Sequence, residues 1–241
     1  MKKLMIAAAV AAIGSAVFAE GVESQNIVGY AQSTLQEGAT MVSAQFLPVS
    51  GVEYRLEDIT PVGDDLVDNV NVKVLDAYGR TIEGCDYTWV DYIAENACWV
   101  DGEYNIVEGV TFAPGQGLWV YGLGNSQGIQ TSGQVGTSDI LVQLREGAIG
   151  TGNPFPVSVA LQDIIAEGDD TVDNVNIKIL DAYGRTIEGC DYTWVDYIAE
   201  NPCWVDGEYN VVENVTFAPG QGLWVYGTST AQSLRFPAPE L

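Results

Sequence analysis

Carboxylates are the first chemistry that this chain offers. It carries 33 Asp and Glu residues and no histidine. Sets such as Asp86, Asp91 and Glu95, or Glu103 and Glu108, are the residue types that hydrolyse glycosides when two carboxyls are held about 5–10 Å apart across a cleft. Chance supplies such pairs in so acidic a chain. No histidine is available as a base and no G-x-S-x-G nucleophile occurs, so the reading is a protein that is not an enzyme and needs no cofactor. A second set is Asp64, Asp65 and Asp68, echoed by Asp169, Asp170 and Asp173, with Asn and further Asp residues beyond each. Calcium takes six to eight oxygen ligands, which loops dense in Asp and Asn can supply. These six aspartates are therefore a candidate calcium site. The plainer alternative is a pair of solvated turns, because the spacing matches no EF-hand loop.

Thiols and rings complete the inventory. Cys85 and Cys98 recur as Cys190 and Cys203. Without histidine or a C-x-x-C, zinc is the weaker reading. Disulfides Cys85–Cys98 and Cys190–Cys203 would give each half its own staple. The aromatic set is Tyr87, Trp89, Tyr92, Trp99, Tyr104, Trp119 and Tyr121, repeated as Tyr192, Trp194, Tyr197, Trp204, Tyr209, Trp224 and Tyr226. Most are expected to fill small cores. In Gly117–Tyr121, however, Leu118 and Val120 point to one face of a strand and Trp119 and Tyr121 to the other. Both faces are then apolar, so the second must be covered by the other half, by another chain or by a ligand. Trp119, Tyr121, Trp224 and Tyr226 are the candidate ligand or contact aromatics.

The elements that must position these residues come as a repeat. Val67–Gly122 recurs as Val172–Gly227 at an offset of 105, with five changes in 56 positions. They are Val72 to Ile177, Val74 to Ile179, Ala97 to Pro202, Ile106 to Val211 and Gly109 to Asn214. The upstream 40 or so residues repeat less faithfully. Leu35–Ala39 matches Leu144–Ala148 at an offset of 109, and Leu56–Ile59 matches Leu161–Ile164 at 105. Period-2 alternation predicts strands at Val70–Leu75, Arg80–Ile82, Asp86–Val90, Cys98–Val100, Val110–Phe112 and Gly117–Tyr121. Turns fall at Asp76–Arg80, Asp101-Gly102 and Pro114-Gly115. Only the L-x-D-I element reads as helical, for a turn or two. Short strands at this spacing predict an all-β chain of two tandem, similar β-sandwich or barrel domains from an internal duplication. The expected division is domain 1 over 20–122, a Gly/Ser/Gln-rich linker over 123–136, domain 2 over 137–227, and an extended tail over 228–241.

Residues 1–19 read as a secretory signal peptide. Lys2 and Lys3 precede an apolar run over Leu4–Ile13, and Val17-Phe18-Ala19 is a cleavage site. The apolar run is short for a membrane span, so no membrane insertion is expected. Losing Lys2 and Lys3 takes the formal charge from −24 to −26. That surface repels phosphate, which argues against nucleic acid, and attracts divalent cations or basic surfaces.

Asn26-Ile27-Val28-Gly29-Tyr30, Leu35-Gln36-Glu37-Gly38 and Ala113-Pro114-Gly115-Gln116-Gly117-Leu118-Trp119-Val120 resemble a loose group of uncharacterised secreted bacterial tandem β-domain proteins. These open on a V-G-Y strand and close on P-G-x-G followed by aromatics. In the second half Ile140-Leu141-Val142 stands in place of V-G-Y. The resemblance implies an exported β-domain and no known activity.

The resulting expectation is a secreted, periplasmic or cell-surface protein. It would be a non-enzymatic surface or extracellular-matrix structural protein that works by self-association or by attachment to a cell-surface component. The alternative is a secreted bivalent glycan-binding protein.

Overall fold

The computed structural model describes residues 28–47, 54–63, 69–75, 80–124, 126–169, 171–181 and 183–239. The signal-peptide reading over 1–19 lies outside them. The chain is all-β, 53 % strand, with no helix of seven residues or more. Among the described residues, no helix is long and apolar enough to cross a membrane.

The first half contributes β1 (Val28–Thr34), β2 (Gly38–Ser43), β3 (Tyr54–Arg55), β4 (Ile59–Val62), β5 (Asn71–Leu75), β6 (Thr81–Val90), β7 (Cys98–Val100), β8 (Thr111–Phe112), β9 (Gly117–Gly122) and β10 (Gly128–Gln134). The second half contributes β11 (Ile140–Gln143), β12 (Gly147–Gly152), β13 (Val159–Ala160), β14 (Ile165–Glu167), β15 (Asn176–Leu180), β16 (Thr186–Val195), β17 (Cys203–Val205), β18 (Thr216–Phe217), β19 (Gly222–Gly227) and β20 (Ser233–Phe236). The L-x-D-I elements are single 3-10 turns, Leu56–Asp58 and Leu161–Asp163, each burying its leucine.

Both halves use one strand order. A five-stranded sheet runs β2-β9-β5-β6-β7 in the first and β12-β19-β15-β16-β17 in the second. A three-stranded sheet runs β1-β10-β4 and β11-β20-β14, and the pairs β3-β8 and β13-β18 complete the set. The sheets are arranged like a four-bladed propeller, although none of the four larger sheets is built wholly from consecutive strands: only β5-β6-β7 and β15-β16-β17 are neighbours in chain order.

Alternation explains the two cores. In the first half Val72, Tyr87, Leu118 and Val120 of the five-stranded sheet pack with Ala31, Ile59 and Ile129 of the three-stranded one. Ile177, Tyr192, Leu223 and Val225 pack with Ala166, Leu234 and Phe236 in the second. Burial pushes the Tyr87 and Tyr192 hydroxyls up to about 12, with the neighbouring Cys85 and Cys190 thiols adding to the rise. Trp99 and Trp204 are fully buried. Their indole N–H groups donate to the Ile59 and Ile164 carbonyls at 3.0 and 2.7 Å.

Three sequence expectations need correction. The segment 123–136 is not a free linker, because it holds β10, the central strand between β1 and β4. Its small residues serve packing: a Cβ on Gly133 would sit 2.5 Å from that of Phe46. The tail over 228–241 likewise holds β20, which buries Leu234 and Phe236 between β11 and β14. Arg80–Ile82 and Asp86–Val90 join into the single ten-residue strand β6, which carries a register shift opposite Lys73–Leu75.

The disulfide expectation is also overturned. Cys85, Cys98, Cys190 and Cys203 are all free thiols. Cys98 pairs across the sheet with Val90, five residues along β6 from Cys85. That is about 16 Å at the rise of a strand, whereas a disulfide needs Cα atoms within about 7 Å. The two thiols also fall on opposite faces, since Cys85 shares its face with Tyr87 and Trp89. Reductant is therefore expected to leave the melting temperature unchanged, and thiol titration of the unfolded chain should count four. A reductant-induced fall in melting temperature would overturn this.

Candidate interaction surfaces

The two five-stranded sheets meet through β2, β9, β12 and β19. Val42 bridges to Gln221 and Gln116 bridges to Thr151. Gln221 is Gln116 moved by the repeat offset, and Thr151 is the counterpart of Val42. The contact is thus isologous, like that of a two-fold dimer, but within one chain. Ser43 N–H donates to the Gly220 carbonyl, its hydroxyl to the Asn153 carbonyl, and the Thr151 hydroxyl to the Gly115 carbonyl. The sequence Ala-Pro-Gly-Gln builds the turn on each side. Proline presets the first turn position and glycine takes positive φ, 75° at Gly115 and 65° at Gly220. Gln116 and Gln221 N–H donate back to the Ala113 and Ala218 carbonyls.

This contact covers Trp119 and Trp224, each only 6 % exposed. Of the three covers open to the second strand face, the other half of the chain is the one found. Further along that face the lining turns polar. Lys73 pairs with Asp86 at 3.0 Å, Asn71 donates to the same carboxylate, and the Lys73 ammonium lies 5.2 Å over the Tyr121 ring. Lys178, Asp191, Asn176 and Tyr226 repeat this, with the cation 5.3 Å over the ring. Asp86 is thereby engaged in a structural ion pair. Tyr121 and Tyr226 remain partly exposed.

Of the candidate calcium ligands, Asp64, Asp65, Asp68 and Asp170 lie outside the described residues. The Asp169 carboxylate accepts from the Thr171 N–H and hydroxyl and from the Gln232 amide, and ties its loop to the one after β19. The bonds from Thr171 lead in holding its carboxyl down to about 2, with Ser229 assisting. Asp173 shifts the other way, raised by burial and by the adjacent Asp196. Among the described residues no group of three or more acids, cysteines or histidines is placed to hold a metal ion. Because folding raises the Asp173 pKa, its contribution to stability is fully present below the ordinary carboxylate range. It is lost as pH rises through the raised value. Asp173→Asn should therefore raise the melting temperature at pH 7 and leave it unchanged at acid pH. Equal shifts at both would refute the assignment.

Four tyrosines expected in the cores stand outside them. Tyr92, Tyr104, Tyr197 and Tyr209 are 60–66 % exposed. Tyr104 sits in the hairpin that folds back over the edge strand β7, where Val107 N–H donates to the Trp99 carbonyl. Its φ is 63°, and that of Tyr209 is also 63°. Left-handed backbone costs a bulky L-residue about 1–2 kcal/mol, which is why glycine or asparagine usually fills such a position. Asp101 imposes the conformation. Its carboxylate accepts from the Glu103 and Asn105 N–H groups and from the Asn105 amide, and Asp206 does the same to Glu208 and Asn210. In the second half the Tyr197 hydroxyl is raised first by partial desolvation, although the ring is largely exposed, then by the charges of Tyr209, Asp173 and Asp196, with a Tyr197–Tyr209 hydroxyl contact contributing. Ile93, Ile106, Ile198 and Val211 are exposed nearby in sequence. No Lys or Arg occurs between Arg80 and Arg145, or between Arg185 and Arg235. Along the sequence, the exposed tyrosines of each half are thus accompanied by carboxylates and by no Lys or Arg.

Gly109 and Asn214, one of the five differences between the copies, also occupy a left-handed position, at φ 75° and 63°. Both residue types tolerate it, so the substitution is conformationally neutral.

Comparison with known proteins returns no match among protein-family models, curated proteins or solved structures.

Proposed function

We propose that the chain is an exported, non-enzymatic interaction protein that attaches to a basic partner surface through two like tyrosine–carboxylate patches. Export follows from the signal-peptide reading, with cleavage near Ala19. The frame is two sandwich-like domains from an internal duplication, each running to its last strand, β10 or β20. One observation carries the reading. Tyr104 and Tyr209 hold strained left-handed backbone while their side chains stand in solvent. Strain kept at an exposed aromatic in both copies is better explained by what the ring touches than by folding. Tyrosine faces attract lysine and arginine, and the surrounding carboxylates add Coulombic attraction. The alternative, a bivalent glycan binder, draws support from the Tyr197–Tyr209 pair beside Asp173 and Asp196, since sugars stack on rings and donate to carboxylates.

Tyr104→Gly and Tyr209→Gly test the reading. Relief of about 1–2 kcal/mol of backbone strain is offset by about 0.5–1 kcal/mol of glycine entropy. Each variant is expected to be as stable as the parent, or up to about 1.5 kcal/mol more so. With net charge unchanged, the double variant should still bind a short peptide of alternating lysine and arginine at least tenfold more weakly. Equal peptide binding would mean that charge alone acts and would remove the tyrosine patches from the account. Salt-insensitive binding to a neutral oligosaccharide, lost in the same variant, would establish the glycan reading instead.

A further inference from the structure

The contact between the two halves leaves a cleft on each side of its pseudo-two-fold axis, and the two clefts differ. One, about 390 Å³, is lined by Trp119, Trp224, Leu141, Val142, Ile149 and Arg145 against the Ala113–Gln116 turn. The other, about 350 Å³, lies against the Ala218–Gln221 turn, and at the corresponding places it presents Gln32, Ser33 and Thr40. The turns are identical in sequence. The divergence falls on the strands opposite them, within the upstream segment that drifted between the copies. Aligning Leu144 with Leu35 sets Leu141, Val142, Ile149 and Arg145 against Gln32, Ser33, Thr40 and Gln36. Three polar side chains have apolar counterparts, and a neutral amide has a cationic one.

Arg145 stands out electrostatically. In a chain of formal charge −24, Lys73, Lys178, Arg185 and Arg235 are all ion-paired. Arg145 and Arg55 have no carboxylate ion pair among the described residues, and of the two Arg145 is the one that lines this aromatic cleft. A guanidinium left free beside two indoles and branched aliphatic chains matches a ligand with an apolar body and one anionic end. The volume lies at the small end of the range for small-molecule pockets. We propose that this cleft, and not its polar counterpart, binds a small apolar carboxylate or sulfonate. The apolar body packs on Trp119, Trp224 and Val142, and the anion pairs with Arg145.

The test uses the full mature chain and two fluorescent probes. 1-Anilinonaphthalene-8-sulfonate carries the anion, and N-phenyl-1-naphthylamine is its neutral analogue. The parent should bind one equivalent of the sulfonate. Arg145→Gln, the residue found at Gln36, should weaken the sulfonate at least tenfold and leave the neutral probe within about twofold. Leu141→Gln with Val142→Ser, the residues of the other cleft, should weaken both probes. Circular dichroism melts check that each variant folds, and Arg145 is exposed, so its replacement leaves the core intact. The proposal is overturned if the parent binds no sulfonate. It is equally overturned if Arg145→Gln binds both probes like the parent, or if the Leu141/Val142 variant retains sulfonate binding.

Discussion

Trp204→Ala is expected to cost about 4 kcal/mol of folding stability, read from urea denaturation. The indole is 1 % exposed and lies edge-on to Trp194 with ring centroids 5.2 Å apart. Removing it leaves a cavity the size of a bicyclic ring, for which such truncations cost about 3–5 kcal/mol. It also strands the Ile164 carbonyl, which accepts the indole N–H at 2.7 Å. A buried acceptor without a donor costs about 1–3 kcal/mol on its own. Trp204→Phe separates the two effects. It keeps most of the volume and loses only the donor, so about half the cost should remain. A loss below 1 kcal/mol for the alanine variant would mean that this ring does not anchor the 3-10 turn at Leu161–Asp163 to the sheet.

Gly222→Ala should cost about 3 kcal/mol for a different reason. A Cβ there would lie 2.4 Å from the Met41 backbone carbon and 2.5 Å from its carbonyl oxygen. Backbone cannot turn aside as a side chain does, so the two halves must separate locally. That places the cost at the upper end of the about 1–3 kcal/mol typical of overpacking. Gly117 meets the Gly150 carbon at 2.4 Å and should behave alike. Gly207→Ala supplies the control, because nothing lies within 4 Å of its Cβ position. Unfolding of the Gly222 variant should broaden toward two transitions as the halves uncouple. An unchanged, single transition would show that the halves do not depend on this contact.

The positions of the strands, though not their order in the sheets, were legible where alternation was strong. Val70–Leu75, Cys98–Val100 and Gly117–Tyr121 became β5, β7 and β9 within a residue or two. Of the two rings on the second face of β9, Trp119 is covered and Tyr121 stays partly exposed, and periodicity left open what the cover would be. Which of three partners supplied it depends on tertiary contact, and strand periodicity carries no such information. Small-residue strands were the main failure. Gly128–Gln134 has the composition of a linker because Gly133 lies under Phe46, a constraint visible only once the chain is folded. The cysteines misled because duplication says that two residues belong to one half but not how far apart they lie along a strand. Tyr104 belongs to an aromatic set most of which is expected to fill the cores. Its place in Asp101-Gly102-Glu103-Tyr104-Asn105, where a hairpin calls for glycine, was the signal that it stands outside.

The central claim is that two like tyrosine patches act together, and avidity tests it most directly. Binding of the parent to a surface coated with the lysine–arginine peptide should be compared with Tyr104→Gly alone, Tyr209→Gly alone and both. Two equivalent patches on one chain raise apparent affinity well beyond either alone when both engage. Each single variant should therefore lose at least tenfold on the coated surface while the free peptide still binds its intact patch with parental affinity. The double variant should lose both. Four proteins that bind the coated surface equally would contradict the account.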